Sequence, residues 1–295
     1  MPRHNQVILY GQAPSESLLG YSTNDVNDPN RRLLRASNHL RVVRGFRDFG
    51  AVDKRLRVDA PLIATSSQAM MAQMRTWRPG NMYLVKGNVI TLDGTERYTC
   101  PLCGKDFLVP ATFTFVNPIL IVPMEENLTW EEAVPLIIAR KEMSNIVTLF
   151  GRCSGDIRSF QTDAGQLITN YTLDVPRKFY IKEDRSDIRH DYPIIKSYGS
   201  VAKHDLYGIL DGGEVFVDGM LQTRTYNRNI ECPECGETAI YEGRTTEVVA
   251  YSCEYGRGCR SMEEIQELEA EKEEEEKREA YARLGLGGTE DDFDV

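Results

Sequence analysis

"PLIATSSQAMMAQMRTWRPGNMYLVKGNVIT" at 61–91 and "PIIKSYGSVAKHDLYGILDGGEVFVDGMLQT" at 193–223 align without a gap. Pro61 falls on Pro193, Gly80 on Gly212, Val85 on Val217, Gly87 on Gly219 and Thr91 on Thr223, all at an offset of 132. The same offset carries "TCPLCG" at 99–104 onto "ECPECG" at 231–236. Upstream, "NQVILYG" at 5–11 matches "NIVTLFG" at 145–151 as N-x-V-x-L-aromatic-G, at an offset of 140. The first copy therefore holds about eight extra residues, placed most simply in the polar loop "GYSTNDVNDPNRRLLRAS". Several matched blocks in one order, at a nearly constant offset, read as a duplicated domain.

Each copy reads as strands, a short helix, and a long hairpin. The opening heptapeptides alternate and end at Gly, and "HLRVVRGFRDFG", "KRLRVDAPLIA" and "QLITNYTLDV" are rich in β-branched or aromatic residues. "SSQAMMAQMRTW" sets Met70, Met74 and Trp77 at helical spacing, which reads as core packing, and "RPGNM" ends that helix. "NMYLVKGNVITL" and "GEVFVDGMLQTRTY" then run as long strands into the cysteine turns. A small antiparallel barrel with one helix between its third and fourth strands is the oligonucleotide/oligosaccharide-binding (OB) plan. The expected fold is therefore mainly β: two tandem OB-fold barrels with zinc-ribbon-like hairpin insertions, a C-terminal helix and an acidic, flexible tail. The boundaries expected are 1–127 for the first barrel, 128–143 for a helical linker, 144–260 for the second barrel and 261–295 for the acidic helix and tail. The linker's Thr129 stands three residues before Glu132, a capping box.

The chain has 295 residues and a formal net charge of −10. From Glu263 to Val295 there are 14 acidic and 4 basic residues, so the tail carries the whole net charge and the body is neutral. Basic grooves on the body are therefore compatible with the acidic total. No run of about 18 apolar residues occurs, and "MPRHNQVILYG" lacks a signal-peptide core, so a cytoplasmic location is expected. Seven cysteines, four of them in C-x-x-C turns, suit metal thiolates in a reducing compartment.

In the second copy the spacing is Cys232-x2-Cys235-x17-Cys253-x5-Cys259. Two close pairs separated by a hairpin's length suit a structural four-cysteine zinc ribbon, so these four are the expected ligands of a structural Zn²⁺. The first copy has Ile121 and Asn127 where the second has Cys253 and Cys259, which leaves Cys100 and Cys103 without a pair of their own. Two readings stay open for them: free thiols of a decayed duplicate, or a shared site with cysteines of the other copy or of another subunit. Cys153 is expected in the core.

Each copy resembles a domain of the bacterial-type single-stranded DNA-binding proteins. The first strand N-x-V-x-L-x-G, the helix, and Leu210, Gly212 and Gly219 after it follow that family's layout over about 5–125 and 145–260. "GGTEDDFDV" at the C-terminus is similar to the family's acidic tip but lacks its Pro-Phe ending. The resemblance implies a non-enzymatic protein that coats and protects single strands in DNA replication, recombination or repair. It further implies that the tip (Asp291, Asp292, Phe293 and Asp294) recruits partner proteins. Tandem barrels with a ribbon depart from the one-barrel pattern and suggest a phage-encoded relative.

Single strands are held by basic grooves along the phosphates and by aromatic faces under the bases. The candidate contacts are Arg41, Arg44, Phe46, Arg47 and Phe49 in the first copy. Arg177, Lys178, Phe179, Tyr180 and Lys182 match them in the second, and Arg224, Tyr226 and Arg228 lie on the strand leading to the ribbon. A protein-interaction scaffold in a replication or transcription complex is the competing reading. Neither a P-loop nor a carboxylate pair at metal-site spacing points to an enzyme.

Overall fold

The computed structural model describes residues 4–44, 57–177 and 189–283. The first half contains β1 (His4–Gln12), β2 (Leu18–Tyr21), β3 (Leu33–His39), β4 (Val42–Val43), β5 (Val58–Asp59), β6 (Leu62–Thr65), α1 (Gln68–Met74), β7 (Met82–Thr99) and β8 (Asp106–Pro123). Two helices follow, α2 (Trp130–Ala139) and α3 (Lys141–Ser144). The second half contains β9 (Asn145–Gln161), β10 (Leu167–Pro176), β11 (His190–Asp191), β12 (Ile194–Tyr198), α4 (Gly199–Gly208), β13 (Glu214–Glu231) and β14 (Thr238–Tyr255). It ends in α5 (Met262–Arg283).

In the second half five strands close on themselves. β9 pairs with β10, β10 with β12, β12 in parallel with β14, β14 with β13, and β13 back with β9. This circuit, with α4 between the third and fourth strands, is the OB plan. In the first half β1, β7, β8, β6 and β3 follow in the same sequence, with a parallel β6–β8 step. The chain just beyond β3 returns to β1 through the Gln12–Arg41 bridge. Val7, Leu9, Val85, Val116, Met74 and Trp77 fill the first interior, and Val147, Leu149, Leu173, Val217 and Val248 the second.

The repeated residues have identifiable tasks. A Cβ on Gly11 would collide with the Arg41 carbonyl, and one on Gly151 with that of Asp174, so the N-x-V-x-L-x-G glycine lets the first strand close against the second. Gly87 and Gly219 follow equivalent register shifts, after Lys86 and after Asp218, where the partner strand's carbonyl again fills the Cβ position. The motif's asparagines clamp the same region. Asn5 bonds both backbone groups of Val89 at 2.8 Å, and Asn145 does the same to Leu221 at 2.8 and 2.9 Å.

β1 and β9 pair antiparallel and merge the two halves into one 12-stranded sheet. Val7 faces Val147, its counterpart in the motif, while Asn5 faces Leu149 and Leu9 faces Asn145, so the junction has local twofold symmetry. α2 begins at the expected Thr129–Glu132 capping box, and Ile137 is fully buried against the junction. α5 likewise starts at a Ser261–Glu264 box. Its first turn is docked: Ile265 is fully buried and occupies the space a Cβ on Gly208 would need, and farther along Glu273 pairs with Lys203 at 3.0 Å. Among the described residues no helix is long and apolar enough to cross a membrane.

Candidate metal centre and nucleic-acid surface

Each long hairpin ends in a Cys-Pro-x-Cys-Gly turn of one geometry. The Cys100 N–H donates to the Lys105 carbonyl and the Gly104 N–H to the Cys100 carbonyl, both at 2.9 Å. In the other turn Cys232 donates to Glu237 at 3.0 Å and Gly236 to Cys232 at 2.9 Å. The glycines take φ of +74° and +72°, a region that disfavours any side chain. Both turns thereby aim two sulfurs outward from the strand ends.

The two hairpins lean together along their length. Tyr98 packs edge-on against Tyr241 at 5.6 Å and donates its hydroxyl to the Ile240 carbonyl at 2.9 Å. The Tyr241 hydroxyl donates to Glu96, and Lys105 pairs with Glu234 at 3.1 Å. This seam brings the turns into contact. Cys100 Sγ lies 3.9 Å from Cys235 Sγ and Cys103 Sγ 3.7 Å from Cys232 Sγ, and all four sulfurs are within 4.8 Å of one another. A metal ion with four thiolate bonds of about 2.3 Å requires sulfur–sulfur edges of about 3.8 Å, so the donor set fits such an ion. The backbone N–H of Cys103 holds the Cys100 thiol down to about 7. The Glu237 N–H favours the Cys235 thiolate, but burial and the neighbouring thiols push that group up to about 12. Four crowded thiols cannot all ionise without a compensating cation.

The quartet differs from the ligand set expected from spacing. Cys232 and Cys235 belong to it; Cys253 and Cys259 do not, and Cys100 and Cys103 take their places. The reason is strand length. β14 runs unbroken from Thr238 to Tyr255, so Cys253 sits opposite Val217 at the barrel, roughly 50 Å along the strand from the tip. There the Cys253 Sγ is 3.5 Å from the Tyr171 hydroxyl, and burial raises its thiol well above the ordinary range. The Cys259 Sγ donates to the Glu214 carbonyl at 3.5 Å. Cys153 is buried, as expected, and burial pushes it up to about 11.

The candidate strand-binding residues divide into separate groups. Arg44 and Arg177 are committed internally, against expectation. Arg177 makes a bidentate pair with Asp191 at 3.0 and 2.8 Å and donates to the Thr91 carbonyl at 3.1 Å, with its side chain 5% exposed. Arg44 makes the equivalent pair with Asp59 at 2.6 and 3.0 Å. Asp191 accepts the backbone N–H of Thr91 and Asp59 that of Thr223, at 2.9 and 2.8 Å. Each half thus inserts an arginine–aspartate pair into the fourth strand of the other. Burial raises the Asp191 carboxyl, against the opposing pull of Arg177 and the Thr91 N–H. The guanidinium donors of both arginines are thereby engaged by protein acceptors.

Arg41 is half-buried, with its guanidinium 5.6 Å from the Trp130 ring centre. Arg224 pairs with Glu247 at 2.8 Å. Tyr226 lies over Gly243 and packs edge-on against Tyr241 at 6.3 Å. Arg228 donates to the Pro110 carbonyl at 2.7 Å and lies 5.0 Å over the Tyr241 ring. Tyr226 and Arg228 therefore belong to the seam between the hairpins. Phe46, Arg47, Phe49, Lys178, Phe179, Tyr180 and Lys182, with Asp291, Asp292, Phe293 and Asp294 of the tail, lie outside the described residues.

Sequence reasoning passed over one groove in the first half. It has a volume of about 1330 Å³ and runs between β3 and the β7–β8 hairpin, lined by Arg35, Leu92, Phe113 and Phe115 and, from the second half, by the ion-paired Arg177 among others. No single block of sequence carries it, because Arg35, the lining arginine without an ion pair among the described residues, and the aromatic rings come from different strands.

Residues 144–251, which span the closed second barrel, match the profile of the Single-strand binding protein family. Crystal structures of the single-stranded DNA binding protein from Thermus aquaticus share the fold. The wild-type protein superposes with a TM-score of 0.56 at 14% identity, over 89% of this chain and 97% of that one. A deletion mutant of it gives 0.57 at 16% identity, over 89% of this chain and 100% of that one. No curated protein matches the sequence.

Proposed function

We propose that this chain is a non-catalytic single-stranded DNA-binding protein built from two tandem OB barrels, each the counterpart of the other by duplication. The observation that carries the reading is the family match over 144–251, which falls on a closed five-stranded barrel of the plan that binds oligonucleotides. The duplication is supported by the offset of 132, which the glycine bulges and the cysteine turns obey, and by the Arg–Asp pairs, whose aspartates Asp59 and Asp191 stand at the same offset. Binding is by electrostatic capture and base stacking, largely independent of sequence and sensitive to salt. The protein coats and protects single strands in replication or recombination, in the cytoplasm of a bacterium or a phage-infected host. The acidic tail, with Phe293 near its end, recruits partner proteins.

The quartet Cys100, Cys103, Cys232 and Cys235 holds one structural zinc ion. All four positions are filled by protein sulfur, so the ion has no open site for substrate, and its role is to join the two hairpin tips. Native mass spectrometry of the full chain, purified without chelator, tests both parts. The expected species carries one zinc ion and forms a complex with a dT oligonucleotide but not with a duplex of equal length. A metal-free chain, or equal binding of duplex, would contradict the reading.

A further inference from the structure

The two halves share one topology but differ on the surface where β6 or β12 meets the long hairpin. In the first half this surface is the groove of about 1330 Å³. Phe113 and Phe115 stand two residues apart on β8, so their rings share one face at a spacing of about 6.8 Å. The Phe113 ring rests across Gly94, where an added Cβ would meet it at 3.1 Å. Arg35 enters from β3, its stem lying over Gly20, and makes no ion pair among the described residues. The acidic lining residue, Glu96, already accepts the Tyr241 hydroxyl.

The offset of 132 gives the counterparts: Leu92 becomes Arg224, Phe113 becomes Thr245, Phe115 becomes Glu247 and Ala64 becomes Lys196. The register confirms them, since Leu92 pairs with Phe113 and Arg224 with Thr245. These second-half residues fill the surface with ions. Glu247 accepts from Arg224 at 2.8 Å and from Lys196 at 3.3 Å, and the Lys196 and Glu247 side chains are 8% and 2% exposed. A base could enter only by breaking a buried ion network, which is unfavourable.

We infer that the two barrels divide the work: the Arg35–Phe113–Phe115 groove stacks the bases of a single strand, and its second-half counterpart is closed to them. The inference rests on the single-strand reading above and gives that binding a place. An unpaired guanidinium beside two phenyl faces suits a phosphate followed by exposed bases, and the rings favour unpaired bases over duplex.

The test uses the full chain and a fluorescein-labelled dT oligonucleotide followed by anisotropy. Phe113→Leu with Phe115→Leu keeps the apolar volume and removes both π-faces. It is expected to weaken binding roughly 10-fold or more at an unchanged melting temperature. Arg35→Ala is expected to weaken binding and flatten the salt dependence, and Thr245→Ala to change nothing. In the unmodified protein, an oligonucleotide carrying 5-iododeoxyuridine is expected to crosslink to the segment holding Phe113 and Phe115. Wild-type affinity in the double leucine variant, or crosslinks confined to the second half, would overturn the division of labour while leaving single-strand binding intact. A change of oligomeric state in that variant with unchanged affinity would overturn it too, assigning the groove to a second copy. Failure of the wild type to bind any oligonucleotide would overturn the single-strand reading itself, and this inference with it.

Discussion

Replacing Arg177 by alanine should unfold the protein far more readily and touch nucleic-acid binding only through that loss. The Arg177 side chain is 5% exposed and that of Asp191 is 0% exposed, and the pair spans both halves through the Thr91 N–H and carbonyl. Removing one partner of such a pair leaves an uncompensated buried carboxylate and costs about 3–5 kcal/mol. With a urea slope of about 3 kcal/mol per M, the midpoint falls by about 1–1.7 M. Fluorescence reads the transition well, because Trp77 is fully buried in the first half and stacks on Tyr83 at 4.3 Å. The double substitution Arg177→Met with Asp191→Asn removes both charges yet keeps an oxygen for the Thr91 N–H. It should cost no more than about 1–2 kcal/mol, less than the single change. Arg44→Ala should cost less than Arg177→Ala, since the Arg44 side chain is 17% exposed and water can reach the vacated site. A wild-type midpoint for Arg177→Ala together with a loss of oligonucleotide affinity would refute the reasoning and make Arg177 a phosphate ligand.

Three further outcomes are expected. Cys103→Ser should abolish stoichiometric zinc and lower the melting temperature, whereas Cys253→Ser should retain one zinc ion, both read by plasma mass spectrometry and calorimetry. Gly219→Ala should destabilise by roughly 1–3 kcal/mol in urea, because the new Cβ meets the Val249 carbonyl across the bulge. The hydrogen bond from Lys203 holds the Glu273 carboxyl below its ordinary range, so α5 docking gains from this pair above the ordinary glutamate value. That gain is lost as pH falls through the lowered value, and a carbon-13 titration of Glu273 should show its midpoint rise in Lys203→Gln.

Local signals were legible where they depend on backbone geometry. The glycines of the repeat fall where strands approach closely or bulge, and the Thr129–Glu132 capping box opens a helix where the pattern places it. Signals that depend on what faces a residue across the fold were not. Arg44 and Arg177 sit in basic, aromatic stretches that look like strand-binding segments. Their true partners are aspartates about 15 residues onward, in the two-residue strands β5 and β11, whose return path no periodicity encodes. Cys253 and Cys259 satisfy the spacing of a ribbon only if the hairpin is short; with strands of 18 residues each, the tips find each other instead. The Phe113 and Phe115 groove escaped notice because "VPATFTFVNPILIV" contains no basic residue, and the arginines lining the groove, Arg35 and Arg177, arrive from elsewhere in the chain.

The most direct test of the account is the affinity of the full chain for labelled dT oligonucleotides of increasing length, measured by anisotropy over a series of salt concentrations with duplex DNA as control. Tight binding to single strands, strengthening with length and weakening steeply with salt, is the predicted result. Equal affinity for duplex, or no binding at low salt, would contradict it.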